Sequence, residues 1–187
     1  IMTGANVTHD IVEALGHRHE IGAEAADDEK LSKRGLHRIY DIYISQKAIE
    51  ALEKFAYKSV PKIDEEKRRN IAPWELLHDI GGQLRDPSSI LRNASKRNVP
   101  VFCPGLHDSM FGTNLWTFGQ LNTLQLNPMK DFSKIVEMTY ESKKTGLIIL
   151  GGGMPKHFAM LANTFRGGLE AAVQFTMDRP EPGGLSG

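Results

Sequence analysis

The chain has a single cysteine, no long apolar run and no excess of charge. Because Cys103 is the only cysteine among 187 residues, an internal disulfide framework is excluded and a reducing compartment is favoured. No apolar run approaches the roughly 20 residues of a membrane span, and no signal peptide is visible. Lys plus Arg and Asp plus Glu each number 23, which argues against a dedicated nucleic-acid or membrane-surface binder. We therefore expect a soluble, cytoplasmic protein.

Internal repeats and low-complexity tracts are also absent from the sequence. The length suits one well-packed domain. Residues 1–6 read like the end of a strand that enters a turn, and residues 179–187 read like a loop that stops without docking. We expect a single domain over residues 1–187 that is truncated at both ends.

Short apolar runs alternate with amphipathic stretches, which predicts a parallel α/β sheet with helical crossovers. Residues 17–33 are expected to be a loop and residues 34–45 a strand-like arm. The predicted strands are 99–104, 146–153 and 171–176. The predicted helices are 7–15, 46–58 capped by Ser45, one from Pro73, one from Asp86 as N-cap, 111–126, 131–143 and 156–165.

The segment from Gly146 to His157 is the most informative part of the chain. Residues 147–150 (Leu-Ile-Ile-Leu) read as a strand buried on both faces, and Gly151, Gly152 and Gly153 follow directly. A helix that starts after such glycines directs backbone N–H groups and the positive end of its dipole at the space above the sheet. The pattern indicates an anionic ligand such as a nucleotide phosphate, although a simple tight turn also explains the glycines.

Two polar residues follow predicted strands, where ligands collect in open parallel sheets. Asp108 could accept hydrogen bonds from ribose hydroxyls, pair with a cationic substrate, or cap the next helix. His157, in the first turn after the glycines, is a candidate for proton transfer or a structural residue. His17 and His19 lack a cysteine or carboxylate at ligand spacing, so we predict no metal site there. Cys103 is predicted to be an inert packing residue.

The sequence resembles the deoxyhypusine synthase family. The resemblance is carried by residues 3–10 (Thr-Gly-Ala-Asn-Val-Thr-His-Asp), 97–108 and 144–157, and the string Thr-Gly-Leu-Ile-Ile-Leu-Gly-Gly-Gly is its most specific part. It implies a Rossmann-like subunit, with a parallel sheet and helices on both faces, in a homotetramer whose active sites lie between paired subunits. The implied reaction uses NAD to dehydrogenate spermidine and passes its aminobutyl group, through an imine on an enzyme lysine, to one lysine of a translation factor 5A precursor.

The resemblance also implies site residues. Those that fall on the family's NAD-contact positions are Thr3, Gly4, Ala5, Asp108, Gly152, Met177 and Asp178. His157 matches a histidine at the polyamine that is implicated in proton transfer, and the other positions matching the substrate site are His9, Gly184 and Ser186. The imine-forming lysine of the family lies beyond Gly187, so this chain alone is expected to be inactive.

The sequence departs from the family at four polar positions. His9 replaces a glutamate, Thr113 an aspartate, Leu161 an asparagine and Leu185 an aspartate. Fewer carboxylates weaken a site for a multiply charged cation, since a hydrogen bond to a charged group contributes about 1.5–3 kcal/mol. Two alternatives therefore stay open: aminobutyl transfer to a small amine, as in homospermidine synthesis, and a catalytically silent NAD-binding paralogue that regulates an active partner. A generic Rossmann dehydrogenase is disfavoured because the GxGxxG fingerprint is missing.

Overall fold

The structure is a computed structural model that describes residues 1–179, 181 and 183–185. Within these residues the strands are β1 (Glu20–Ile21), β2 (Leu36–Ile39), β3 (Ile42–Ser45), β4 (Gly146–Leu150) and β5 (Ala171–Phe175). The helices are α1 (Gly4–Ala14), α2 (Asp28–Lys33), α3 (Gln46–Ser59), α4 (Glu65–Arg68), α5 (Pro73–Gly81), α6 (Ile90–Lys96), α7 (Met110–Leu121), α8 (Pro128–Glu141) and α9 (Met154–Thr164). None of these helices is both long and apolar enough to cross a membrane.

The main apolar core lies among α1, α3, α5 and α7. Their inward side chains, including Ile11, Leu52, Ile80 and Phe111, are fully buried. Ser45 caps α3 as predicted, because its side chain accepts a hydrogen bond from the Ala48 N–H. A second, smaller cluster joins α8 to α9. It contains Phe102, Ile135 and Ala162.

The strands form two small sheets instead of one parallel sheet. One sheet is antiparallel in the order β1-β3-β2, and the other is the parallel pair β4-β5. Residues 99–104 form no strand, so that prediction is wrong. Pro100 and Pro104 have no N–H to donate to a ladder, and the Phe102 carbonyl instead accepts one hydrogen bond from the Met2 N–H at 3.0 Å. Residues 1–3 also form no strand, because α1 begins at Gly4.

Strand β4 is covered on one face only, which corrects the expectation of burial on both faces. Ile149 is 9% exposed, whereas its neighbours Ile148 and Leu150 are 76% and 82% exposed. This alternation is typical of a strand with one covered face. The α/β class is confirmed, but helices on both faces of a large parallel sheet are not seen in the described residues.

Several helices begin or end at residues other than those predicted, and local contacts explain the differences. Helix α6 is capped by Ser89 and not by Asp86, whose side chain bonds to Ser88 within its own turn. Helix α7 ends at Leu121, because Leu126 forms an isolated parallel bridge with Ile71. The predicted loop over residues 17–33 contains β1 and α2.

Candidate active site

The strand–glycine–helix corner predicted after β4 is present. Gly151 and Gly153 have φ angles of +87° and +75°, which glycine adopts without steric cost. Gly153 is the N-cap of α9, and no side chain caps this helix end. The Gly151 N–H donates to the Phe175 carbonyl at 2.8 Å, at the end of the parallel strand β5. The carboxyl ends of both strands therefore open onto an uncapped helix N-terminus, which favours an anion.

Two predicted cofactor residues that are far apart in the sequence line one cavity at this corner. Thr3, at the start of α1, and Gly152 border a space of about 140 Å³ together with β4, Asn6 and Lys156. The Thr3 hydroxyl is engaged locally, because it bonds to the Asn6 side chain and accepts the Asn6 N–H. Asn6 and Lys156 were missed from the sequence, although a lysine beside a glycine corner is a usable signal for anion binding.

Close backbone packing connects the loop before α7 to this corner. A Cβ on Gly4 would lie 2.5 Å from the Ser109 Cβ, and one on Gly105 would lie 3.3 Å from the Met154 Sδ. The start of α1, the loop over residues 105–109 and the start of α9 are thus contiguous. Asp108 lies in this loop and is exposed. It does not cap α7, because Ser109 does.

The other predicted site residues that the structure describes do not line the cavity of Thr3 and Gly152. His157 is exposed on α9 and is not among the residues that line the cavity of Thr3 and Gly152. Met177 and Asp178 follow β5 and are exposed, as is Ala5 in the first turn of α1. Gly184 precedes Leu185, whose carbonyl accepts the Gly153 N–H at 2.9 Å. Ser186 lies outside the described residues.

His9 lines a second cavity and belongs to a cluster that the sequence did not reveal. This cavity has a volume of about 440 Å³. The His9 Nδ1 lies 2.7 Å from the His19 Nε2, and the His19 Nδ1 lies 2.9 Å from a Glu13 carboxylate oxygen. His9 and Glu13 are four residues apart on α1, which places them on one face. That spacing was the available signal. Asn6 lines both cavities, so the two adjoin.

Burial shifts the pKa of His9, which lines the second cavity, and of Cys103 in the core. It lowers the pKa of His9, with a further lowering from His19 that Glu13 partly offsets. Burial also raises the pKa of the Cys103 thiol to about 12, and Asp131 contributes in the same direction. Cys103 is therefore a protonated thiol in the core, as predicted. Asp10, next to His9, is occupied in capping α6, where it accepts the N–H groups of Ile90 and Leu91.

All four departures from the family pattern lie among the described residues. The Thr113 hydroxyl donates to the Ser109 carbonyl within α7 at 2.9 Å. Leu161 lies on α9 and is 41% exposed, and Leu185 contacts the glycine corner through its carbonyl. None of these side chains contributes negative charge. The fourth position, His9, is linked to the Glu13 carboxylate through His19.

The family model for deoxyhypusine synthase matches residues 1–187, which is the whole chain. The chain belongs to the deoxyhypusine synthase family. It is 43% identical over 189 residues to the "Probable deoxyhypusine synthase" of Methanothermobacter thermautotrophicus. It is 39% identical over 187 residues to the "Probable deoxyhypusine synthase 1" of Archaeoglobus fulgidus. In both comparisons the alignment covers 100% of this chain and 60% of the relative.

One solved structure is similar to this chain in both fold and sequence. The crystal structure of an Entamoeba histolytica protein assigned as a deoxyhypusine synthase superposes with a TM-score of 0.56 at 33% identity. The superposition covers 69% of this chain and 45% of that one. This chain therefore spans about three fifths of the length of its curated deoxyhypusine synthase relatives.

Proposed function

We propose that this chain is the dinucleotide-binding part of a deoxyhypusine synthase. The full-length enzyme would dehydrogenate spermidine with NAD and transfer the aminobutyl group to one lysine of a translation factor 5A precursor. Each subunit would have a Rossmann-like fold. Four identical subunits would assemble into a cytoplasmic homotetramer. The observation that carries the proposal is that Thr3 and Gly152 line one cavity at the uncapped N-terminus of α9. Family membership of the whole chain supports it.

The residues at the glycine corner suit the phosphates of NAD. The N–H groups at the start of α9 and the Lys156 ammonium would bind the negative charge. Ligand pockets usually measure roughly 300–1,000 Å³, so the 140 Å³ cavity holds only a part of a dinucleotide. We place the rest across the open edge formed by the ends of β4 and β5, towards Asp108, Met177 and Asp178. When bound, NAD accepts the hydride that the amine substrate loses.

The amine substrate would occupy the adjoining cavity and its rim. Asn6 separates the cofactor side from the cavity of His9, so a polyamine in that cavity would lie next to the cofactor. His157, in the first turn of α9, would move the proton at the reacting amine. Gly184 would border the substrate where Leu185 meets Gly153, and the role of Ser186 at the substrate stays a prediction from the resemblance. The enzyme lysine that forms the imine would come from the rest of the full-length protein.

The loss of carboxylates supports a second candidate function. His9, Thr113 and Leu185 stand where the family has carboxylates, and these altered acidic positions allow an enzyme that transfers the aminobutyl group to a small amine. The full-length protein should then consume spermidine with putrescine as the acceptor and ignore the protein acceptor. A protein that binds NAD without detectable affinity for spermidine would instead be a regulatory paralogue.

A charge placed at the glycine corner tests the cofactor site. Gly152→Asp adds a carboxylate where the NAD phosphates are proposed to lie, and Gly152→Asn adds a side chain of similar size without charge. We expect the NAD dissociation constant, measured by calorimetry on the full-length protein, to be at least about tenfold larger for Gly152→Asp than for Gly152→Asn. Tenfold corresponds to about 1.4 kcal/mol. Equal affinities would contradict the proposed phosphate position.

A further inference from the structure

Glu13, His19 and His9 form a continuous hydrogen-bonded chain between α1 and the turn that follows it. The links measure 2.9 Å from the Glu13 Oε1 to the His19 Nδ1 and 2.7 Å from the His19 Nε2 to the His9 Nδ1. The two imidazole rings meet edge to face, with centroids 4.6 Å apart and planes at 71°. The order of groups is a carboxylate, an imidazole and a second imidazole that lines a cavity.

The backbone after α1 holds His19 over the helix. Gly16 has a φ of +87° and its N–H donates to the Glu13 carbonyl at 2.8 Å, while the His17 N–H donates to the Val12 carbonyl at 3.2 Å. These bonds reverse the chain at the end of α1. Strand β1 then begins at Glu20, and pairing of Glu20 with Tyr43 of β3 fixes the residue next to His19. The position of His19 is thus set before any ligand binds.

The carboxylate determines which nitrogen carries each proton. Ionised Glu13 only accepts hydrogen bonds, so the His19 Nδ1 must carry a proton. A neutral His19 then presents its Nε2 as an acceptor, and the His9 Nδ1 must donate to it. A neutral His9 with a proton on Nδ1 has a lone pair on Nε2. The lowered pKa of His9, caused first by burial, favours this neutral form.

The His9 Nε2 is available to a ligand in the cavity that His9 lines. Among the described residues no hydrogen bond to this nitrogen is found, and His9 borders the 440 Å³ cavity together with Asn6, Asp10, Ser88 and Ile90. Glu13 and His19 also line this cavity. His19 is only 11% exposed in its side chain, whereas Glu13 is 60% exposed. The Asp10 carboxylate accepts the N–H groups of Ile90 and Leu91 and the Ser89 hydroxyl. Its capacity for a ligand is therefore largely used.

We propose that Glu13 and His19 are positioning residues that hold His9 as its Nδ1–H tautomer, so that its Nε2 accepts a hydrogen bond from an ammonium group in this cavity. The ligand part of the inference rests on the proposed function, since the ammonium group would be one end of the polyamine. The relay itself depends only on this chain. An ammonium has donors and no acceptor, so the opposite tautomer, with a proton on Nε2, would repel it.

Nitrogen-15 NMR of the imidazoles in the full-length protein tests the relay, because long-range couplings distinguish the two tautomers. We expect His9 to be the Nδ1–H tautomer in the wild type and to shift towards Nε2–H in His19→Phe. Glu13→Ala, which changes an exposed side chain and leaves the packing intact, should make the tautomers of His19 and His9 mixed. His17→Phe is the matched control and should leave His9 unchanged. A wild-type His9 with its proton on Nε2, or no change in either variant, would overturn the relay.

Spermidine binding tests the ligand part separately. In the presence of NAD, the dissociation constant of spermidine should rise about tenfold in His19→Phe, which keeps the Glu13 carboxylate in the cavity, and stay within twofold in His17→Phe. A tautomer change without a change in spermidine affinity would overturn the amine contact. A wild type with the expected tautomer that binds neither NAD nor spermidine would instead contradict the proposed function.

Discussion

The buried carboxylate of Asp131 on α8 accepts a 3.0 Å hydrogen bond from the Trp74 backbone N–H at the start of α5. Asp131 is 2% exposed, although α5 and α8 are more than 40 residues apart in sequence. The N-cap residue of α5, Ala72, has no side chain that can accept this N–H. Asp131 therefore supplies from another helix the acceptor that a helix N-terminus requires.

Stability should fall as the pH rises through the titration of Asp131. Burial raises the pKa of Asp131 from 3.8 to about 7, against the lowering effect of the Trp74 hydrogen bond. Between about pH 4 and 7 the folded state binds a proton that the unfolded state releases, so the free energy of unfolding decreases with pH. Each tenfold change in proton affinity corresponds to about 1.4 kcal/mol. We expect the Tm of the wild type to fall relative to Asp131→Asn over this range.

Asp131→Asn keeps an oxygen for the Trp74 N–H and removes the titration, so the difference in Tm isolates the charge. Asp131→Ala should be less stable than both at pH 5, because the Trp74 N–H then loses its acceptor. A Tm difference between wild type and Asp131→Asn that does not change between pH 4 and 8 would show that Asp131 is not a buried titrating group.

Two glycines of α7 should respond in opposite ways to alanine. A Cβ on Gly112 would clash with the Leu106 carbonyl oxygen, whereas a Cβ on Gly119 would find its nearest atom, the Leu124 carbonyl oxygen, at 3.4 Å. Overpacking costs about 1–3 kcal/mol or more, and alanine in place of glycine inside a helix stabilises by about 0.5–1 kcal/mol. We expect Gly112→Ala to destabilise and Gly119→Ala to be neutral or stabilising in urea unfolding. Equal effects would mean that α7 does not approach residue 106 closely.

Elements with a strong local pattern could be predicted from the sequence alone. The unit β4–α9–β5 and the helices α3 and α8 follow from apolar periodicity, caps and glycine stops, and the structure confirms them within a few residues. The hairpin of β2 and β3 was only partly recognised. Its two-residue turn is Tyr40-Asp41, and Tyr40 has a φ of +56°. Asparagine or glycine normally occupies a hairpin turn position with positive φ. The tertiary pairing of the strands overrides the local preference.

The candidate site was predictable where it depends on the glycine corner and less so elsewhere. Thr3 and Gly152 line one cavity, but nothing in the local pattern shows that Asn6 borders two cavities. His19 was judged only for metal spacing, and its hydrogen bond to His9 depends on the chain reversal after α1. Long-range contacts of this kind come from packing, which periodicity does not encode. The roles of the individual site residues stay predictions.

The ion pair between Arg166 and Glu170, just before β5, should make the protein less stable as the pH falls below about 4.5. The Arg166 guanidinium holds the pKa of the Glu170 carboxyl at about 2, with a further contribution from the Thr145 N–H. The folded state then releases a proton that the unfolded state binds, so this stabilisation is present above about pH 4.5 and is lost as the pH falls towards 2. Glu170→Gln should have a lower Tm than wild type at pH 6, and the two values should converge by about pH 2. Parallel curves would exclude the pair as a contributor.

A carboxylate on α1 supports the start of α6, and its removal should destabilise the protein. Asp10 accepts hydrogen bonds from the Ile90 N–H at 2.7 Å, the Leu91 N–H at 3.0 Å and the Ser89 hydroxyl at 2.9 Å. Because these bonds join two helices and involve a charged acceptor, we expect Asp10→Ala to cost about 1.5–3 kcal/mol in urea unfolding. Asp86→Ala is the matched control. Within the described part of the chain, the Asp86 side chain bonds only to Ser88 in its own turn, so its loss should cost less than about 1 kcal/mol. Similar losses in the two variants would show that the contact between α1 and α6 does not depend on Asp10.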